Sequence, residues 1–390
     1  MNTEQAAAGR SEKRGDAVEN AGVAADTSAT APARATMAGT RRLAARFAAD
    51  RVPDFYRSTG SALLASSIGI GTYLGDPDDA DDRRYRDALR AAIAAGINVV
   101  DAAINYRCQR SERVIGEVLA SLVANESVRR DEIIVCTKGG YIPLDGEPPA
   151  SRDAYNALVD REYFARGIMS PDDVVGGGHC IAPGYLDDQI ARSRSNLRLE
   201  TIDVYYLHNP EQQIPAVGRE VFRRRLVRSF EALEARVDAG DIGAFGCATW
   251  NGLRVAPDAR DSLSLEELVG VAREVAGDSH HFQYVQLPVN LAMSEALRAP
   301  TQRVGGRDRT ALEAAAELGL AVVASASLMQ SALAKSLPSA VRDALPRYDT
   351  DAQRALAFVR GAPGVTTALV GMRGAKHVAE NIAIAGTVAR

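Results

Sequence analysis

Three apolar runs in this chain each deliver an ionisable side chain. Ile97-Asn98-Val99-Val100 leads to Asp101, and Tyr106 follows five positions later. Ile133-Ile134-Val135-Cys136-Thr137 leads to Lys138, and Ile202-Asp203-Val204-Tyr205-Tyr206-Leu207 leads to His208. In parallel α/β proteins the C-terminal strand ends share one face, where ligands bind. A phenol, with an ordinary pKa of ~10, is a weak acid near neutrality, and a nearby ammonium lowers that value. A buried lysine needs a carboxylate beside it, because an uncompensated buried charge is costly. Asp101, Tyr106, Lys138 and His208 together therefore suit protonation of a carbonyl oxygen while a carbanion equivalent reaches its carbon. His208 would donate to that oxygen or relay the proton. With no metal motif and no flavin signature, the carbanion equivalent is hydride from a nicotinamide. Any one of these residues alone is more often structural. Of the five histidines, though, only His208 ends a strand-like run.

The elements that must position them follow from periodicity. Residues 1–50 are rich in Ala, Arg, Thr and acidic residues, with few large aliphatics, and read as a disordered tail. Arg41-Arg42 has no apolar run behind it, so no signal peptide is read; Leu43 to Phe47 could form a helical turn. Ala65 to Thr72 reads as a strand, and Arg83 to Ala95 as a helix stopped by Gly96. The strand 97–101 follows, then a helix over 112–124 with Val114, Ile115, Val118, Leu119 and Leu122 on one stripe, then the strand 133–138. Residues 139–183 hold many Gly and Pro with no sustained period, and read as an enlarged loop after the third strand. A helix resumes near Tyr185 and leads to the strand 202–208. Leu226, Phe230, Leu233 and Val237 mark a helix ended by Gly240. Ser264-Leu265-Glu266-Glu267 reads as a capping box opening a helix to Ala276. Strands at 242–248, 282–287, 320–326 and 366–371 and helices at 309–318, 351–360 and 375–385 complete the alternation. Eight strands alternating with eight helices predict a parallel (β/α)8 TIM barrel over residues 51–390, with an open doubly wound sheet as the alternative.

Composition narrows the function. The chain has 390 residues, a formal charge of -4 and 46% hydrophobic residues. Weak acidity argues against a nucleic-acid partner, and no apolar run reaches membrane-spanning length. Cysteines at 108, 136, 180 and 247 show no disulfide or metal spacing, and His179-Cys180 lacks a matching pair, so no metal is expected. A reduced, cytoplasmic protein, monomeric or a weak homo-oligomer, is the expectation.

The signature Asp101-Ala102-Ala103-Ile104-Asn105-Tyr106, with Glu112-Arg113-Val114-Ile115-Gly116 after it, Cys136-Thr137-Lys138, and Asp203 to His208, occur in an order and spacing that resemble the aldo-keto reductase superfamily. The resemblance covers roughly residues 61–390. It implies that Tyr106 is the general acid, that Lys138 and Asp101 tune it, and that His208 orients the substrate. On the cofactor side, Gly71-Thr72-Tyr73 is similar to the family's first strand end. Gln286 is similar to its carboxamide-holding glutamine. Leu369-Val370-Gly371-Met372-Arg373, with Glu380-Asn381, is similar to its nucleotide motif. Arg373 can pair with a 2′-phosphate in fork geometry, so the implied cofactor is NADPH. The chain departs from the pattern at Ala102, where the family has Thr or Ser. Ala248-Thr249 replaces Ser-Asn, leaving Thr249 one hydroxyl for the carboxamide. Ser325 replaces the ring that stacks on nicotinamide. Ser325, Ser327 and Leu328 either meet the cofactor or simply end the strand. Gly69-x-Gly71-x-x-x-Gly75 lacks the spacing of a dinucleotide fingerprint. Tyr141, Tyr155, Tyr163, Phe164, His179 and Cys180 in the long loop form either a substrate wall or a lid packed on its own aromatics. Trp250 lines the pocket or packs beneath it. The expected function is NADPH-dependent reduction of a small aldehyde or ketone. The alternative is an NADPH-binding regulatory or accessory protein with little turnover. A carboxylate-based barrel hydrolase is weakly supported, since only Asp101 is a placed strand-end carboxylate.

Overall fold

In the computed structural model, which describes residues 33–386, the apolar runs close on one another. Ile68–Gly71, Val99–Asp101, Ile134–Gly139, Ile202–His208, Ile242–Ala248, Phe282–Pro288, Ala321–Ser325 and Val365–Gly371 pair in parallel in chain order, and the eighth returns to the first. Strands buried on both faces need a helical cover. It is supplied chiefly by Asp79–Ala94, Arg110–Ala124, Pro183–Leu197, Ile214–Asp238, Leu265–Ala276, Ala311–Glu317, Asp351–Arg360 and Ala375–Ile382. Among the described residues no helix is long and apolar enough to cross a membrane.

The period-2 alternation of a strand decides what enters the barrel. Val99, Ile134, Cys136, Val204, Tyr206, Tyr284, Ala321, Val323 and Leu369 pack together in its interior. Continuing the same alternation by two residues gives Asp101, Lys138, His208, Gln286, Ser325 and Gly371 at the C-terminal rim. One geometric rule thus places apolar side chains below and polar ones above. Gly69 shares this inward face. A Cβ there would lie 2.8 Å from Leu369 and 2.9 Å from Thr367, so the first strand can approach the eighth only without one.

Helix boundaries follow local chemistry. Asp78 caps the helix 79–94 by accepting from the Asp81 N–H at 2.8 Å, and Gly96 follows at φ 86°. Ser264 caps the helix 265–276 through the Glu267 N–H at 3.2 Å. The helix read from Leu226 begins earlier, at Ile214, with a break at Gly218, where φ is 79°.

Three expectations are corrected. The strand read over 65–72 is two pieces. Leu64–Ser66 pairs antiparallel with Tyr56–Ser58, and the barrel strand starts at Ile68. Ser66 Oγ donates to Ile68 O at 2.8 Å and the Ser66 N–H is taken by Asn98 Oδ1 at 2.8 Å. Side chains thus compete with the ladder at this point. The tail read over 1–50 is wrong over residues 33–50. Met37–Arg46 is a helix capped by Thr36, with Leu43 buried. Composition understated it because its docking is mainly polar. Arg42 pairs with Asp131 and Glu132, and Arg46 with Glu132. The Ala35 N–H meets Asp203 Oδ1 at 2.6 Å. Ala35, Leu63 and Ala65 join the interior cluster and floor the barrel. The rest of that reading, residues 1–32, lies outside the described residues. Finally, the long segment 139–183 is not structureless. It carries the helix Arg152–Val159 and a small core, in which its Ile142, Val159, Tyr163, Met169 and Cys180 are buried with Tyr185 of the following helix.

Docking of the first helix is testable. Leu43→Ala should lower unfolding free energy in chemical denaturation by about 2–4 kcal/mol, as for a buried leucine. A change under about 0.5 kcal/mol, typical of an unconstrained surface site, would show that this helix is not held against the barrel.

Candidate active site

Lys138 is wholly buried at the end of the third strand, and its Nζ donates to Asp101 Oδ1 at 2.6 Å and to Ala102 O at 2.7 Å. Gln286 Nε2 donates to the other Asp101 oxygen at 2.8 Å. One carboxylate therefore bridges the second, third and sixth strands. Burial works against the Lys138 charge, but Asp101 outweighs it, and the ammonium titrates above its ordinary value. One Lys138 N–H remains, and the Tyr106 ring centroid lies 4.9 Å from Nζ.

Tyr106 follows the second strand and opens on the cavity. Burial pushes its phenol above the ordinary value, while Lys138 pulls it back. The net direction corrects the expectation of a lowered pKa: desolvation exceeds the pull of an ammonium already shared with Asp101. The next three residues, Arg107, Cys108 and Gln109, are left-handed at φ 49°, 53° and 70°. Each such non-glycine residue costs about 1–2 kcal/mol, so something must hold them. The Arg107 guanidinium donates to Asp76 O at 2.9 Å and Asp82 Oδ1 at 2.6 Å and lies 5.1 Å from the Tyr85 ring centroid. Gln109 accepts from Asn196 at 3.1 Å. The turn that aims Tyr106 is clamped from both ends.

His208 ends the fourth strand with its ring centroid 6.0 Å from that of Tyr106. Burial, then the Lys138 charge, hold its imidazole well below the usual range. It is neutral near pH 7 and keeps one N–H to donate. His208 Nδ1 is buried with no partner.

Asp101, Tyr106 and His208 line a cavity of 430 Å³ together with Gly71, Thr72, Tyr73, Thr249, Gln286, Ser325, Ser327, Leu328 and Gly371, while Lys138 lies behind them and does not line it. Thr72 Oγ1 donates to Asp101 O at 3.0 Å, and the Tyr73 ring meets Tyr106 edge-on at 5.0 Å. Trp250 and Tyr141 also line the cavity. The Ser327 Oγ is buried without a partner, a donor suited to a ribose or phosphate oxygen. The Thr249 hydroxyl is committed elsewhere, donating to Glu211 Oε1 at 2.6 Å and accepting the Gly252 N–H at 2.8 Å.

The remaining expected cofactor residues do not line the cavity. The Met372 side chain is wholly buried in the hydrophobic core. Arg373 donates to Asp81 Oδ1 at 2.7 Å; Asp81 also takes Arg84 and the Asp76 N–H, and its carboxyl is held down to about 2. Arg373 is therefore an ion-paired side chain rather than a free cation. Glu380 gives its carbonyl to Gln353 at 2.9 Å, and Asn381 is buried with Oδ1 unpartnered. Of the loop aromatics, only Tyr141 reaches the cavity. Tyr163 and Cys180 belong to the loop's own core, with Tyr155 and Phe164 packed against it. Asn105, Asn209 and Gln330 line the cavity and were missed. Asn105 and Asn209 adjoin Tyr106 and His208, a signal adjacency could have supplied. Gln330 sits in an aperiodic loop that offers none.

The profile of the Aldo/keto reductase family matches residues 67–269. Aldo-keto reductase family 1 member D1 of Rattus norvegicus is 26% identical over 193 residues, 47% of this chain and 46% of that protein. D-threo-aldose 1-dehydrogenase of Pseudomonas sp is 30% identical over 168 residues, 43% of this chain and 44% of that protein. The chain spans about half the length of the curated relatives it matches. Among solved structures, a glycerol dehydrogenase from Gluconobacter oxydans has a TM-score of 0.59 at 20% identity, over 87% of this chain and 92% of that one. An aldo/keto reductase from Klebsiella pneumoniae in complex with NADP and acetate has a TM-score of 0.58 at 21% identity, over 86% and 91%. At these identities the likeness is one of fold.

Two measurements probe the site's electrostatics. Lys138→Met strands a buried carboxylate and should cost about 3–5 kcal/mol in chemical denaturation; adding Asp101→Asn should recover part of that loss. No recovery would mean the pair does not set the cost. His179, buried, has its pKa lowered to about 4 by desolvation, against 6.5 ordinarily. The unfolded chain then binds the proton first as pH falls, so the contribution is complete above pH 6.5 and lost on the way to 4. That withdraws about 3 kcal/mol relative to His179→Gln at most. A difference profile flat with pH would contradict it.

Proposed function

The chain belongs to the aldo/keto reductase family, and from that premise we propose that it reduces the carbonyl of a small aldehyde or ketone to an alcohol with NADPH, Tyr106 acting as general acid. The observation that carries the reading is the buried Lys138–Asp101 pair, at 2.6 Å, beneath a phenol that opens on the cavity.

The bound nicotinamide supplies hydride to the carbonyl carbon. This chain supplies the proton and the geometry. The neutral His208 N–H donates to the substrate oxygen and directs it toward the Tyr106 hydroxyl. As charge develops on that oxygen, Tyr106 releases its proton, and the Lys138 ammonium stabilises the phenolate left behind. Asp101 keeps that ammonium charged and in place. The same carboxylate fixes Gln286 through its Nε2, so the Gln286 carbonyl oxygen is the atom left to receive a carboxamide N–H. Ser327 would hold a ribose or phosphate oxygen.

Steady-state NADPH oxidation with a panel of aldehydes tests the reading. Tyr106→Phe should lower kcat by about 10²–10⁴-fold, the range for a general acid, and leave NADPH affinity by fluorescence titration unchanged. Since the acid form is required and the phenol titrates above its ordinary value, kcat should stay flat through neutrality and fall only as alkaline pH ionises Tyr106. If wild type and Tyr106→Phe are equally inert while NADPH binds, the protein is a cofactor-binding accessory instead.

A further inference from the structure

The segment 139–183 reaches the site through one buried residue that faces no substrate. His179 is 1% exposed, and its Nε2 lies 2.8 Å from the His208 carbonyl oxygen. Its Nδ1 lies 2.8 Å from Gln213 Nε2. The proton positions follow from the donor inventory. Arg225 donates to Gln213 Oε1 at 2.6 Å and has no acceptor to offer. Gln213 must therefore present its NH₂ to His179, Nδ1 must accept, and Nε2 must carry the proton and donate to the His208 carbonyl. One tautomer is specified from the helix 214–238 through to the rim.

The backbone at that carbonyl needs holding. Asn209 is left-handed at φ 50°. It is tied by its N–H to Ala248 O at 2.6 Å and by Nδ2 to Tyr141 OH at 2.8 Å. The Tyr141 ring stands edge-on to both His179 and His208, at 5.1 and 5.0 Å. The two ends of the segment are zipped together, Cys180 N–H to Gly140 O at 2.7 Å and Ile142 N–H to Gly178 O at 2.8 Å. Gly140 must lack a Cβ, which would lie 2.7 Å from the His208 carbonyl oxygen. Insertion, strand end and helix thus converge on a single peptide.

We propose that His179 is a positioning residue for the reduction, its Nε2–H holding the His208–Asn209 peptide so that the His208 ring stays aimed at the substrate oxygen. This rests on His208 facing the carbonyl, as read above. His179 touches neither substrate nor cofactor and acts only through His208.

The test compares His179→Leu with His179→Gln. Glutamine keeps a donor at the ε position, and leucine does not. In His179→Leu, kcat should fall about 100-fold, the scale of a sub-ångström to 1 Å misplacement near the chemistry, with NADPH affinity and carbonyl KM little changed. His179→Gln should recover all but about threefold of that loss. Equal losses in the two variants, or a wild-type kcat in His179→Leu, would overturn the proposal. The His208 ring resonances in the full-length protein give a readout free of turnover. They should shift in His179→Leu and return toward wild type in His179→Gln, and unmoved resonances in His179→Leu refute it. If wild type reduces no carbonyl at all, the proposed reaction fails, while the resonances still decide whether His179 holds His208.

Discussion

A lysine ammonium with no access to water is the condition around which this barrel rim is arranged. Its charge survives only because Asp101 sits at 2.6 Å, and that carboxylate is in turn saturated by Gln286. The network spans three strands, so the distances among Asp101, Lys138 and Gln286 are fixed by backbone pairing, while Tyr106 is aimed by the clamped turn that follows the second strand. It also carries the electrostatics: the ammonium adds to the burial that holds the nearby imidazole unprotonated. A single buried cation thus pulls both neighbours toward the deprotonated form, against burial at Tyr106 and with it at His208.

The rim was legible in the sequence because strand alternation is strict. Once Ile134 and Cys136 point inward, Lys138 must as well, and Val204 and Tyr206 do the same for His208. Barrel strands buried on both faces are also the easiest elements to read, since their apolar runs are continuous. What escaped was set by polar contacts between distant segments. Arg42 and Arg46 look like solvated charges until Asp131 and Glu132 are brought beneath them. Arg373 looks like a free phosphate ligand until Asp81 appears beside it. The Thr249 hydroxyl looks available until Glu211 claims it. In each case the competing partner lies far along the chain, where no periodicity reports it.

The segment 139–183 shows the same limit from the other side. Its Gly and Pro content reads as absence of structure, yet its Tyr163 packs at 5.6 Å from Tyr185 of the helix that follows, in a small core that the two share. Tyr141 and His179 are the two side chains the segment presents at the rim. The sequence offered His179 only as part of a substrate wall or of a lid packed on its own aromatics, since a histidine that holds another residue's carbonyl has no local signature.

The floor of the barrel has a consequence for the order of events on the ribosome. Ala35 bonds to Asp203, 168 residues downstream. The helix 37–46 packs on the turn at 130–132 by way of charges it cannot meet until that turn has been made. The helix 37–46 is therefore made well before the residues it docks on. Until the fourth strand is made, nascent chains carry an undocked arginine-rich helix, and the barrel above it stays open until Val365–Gly371 can pair with Ile68–Gly71.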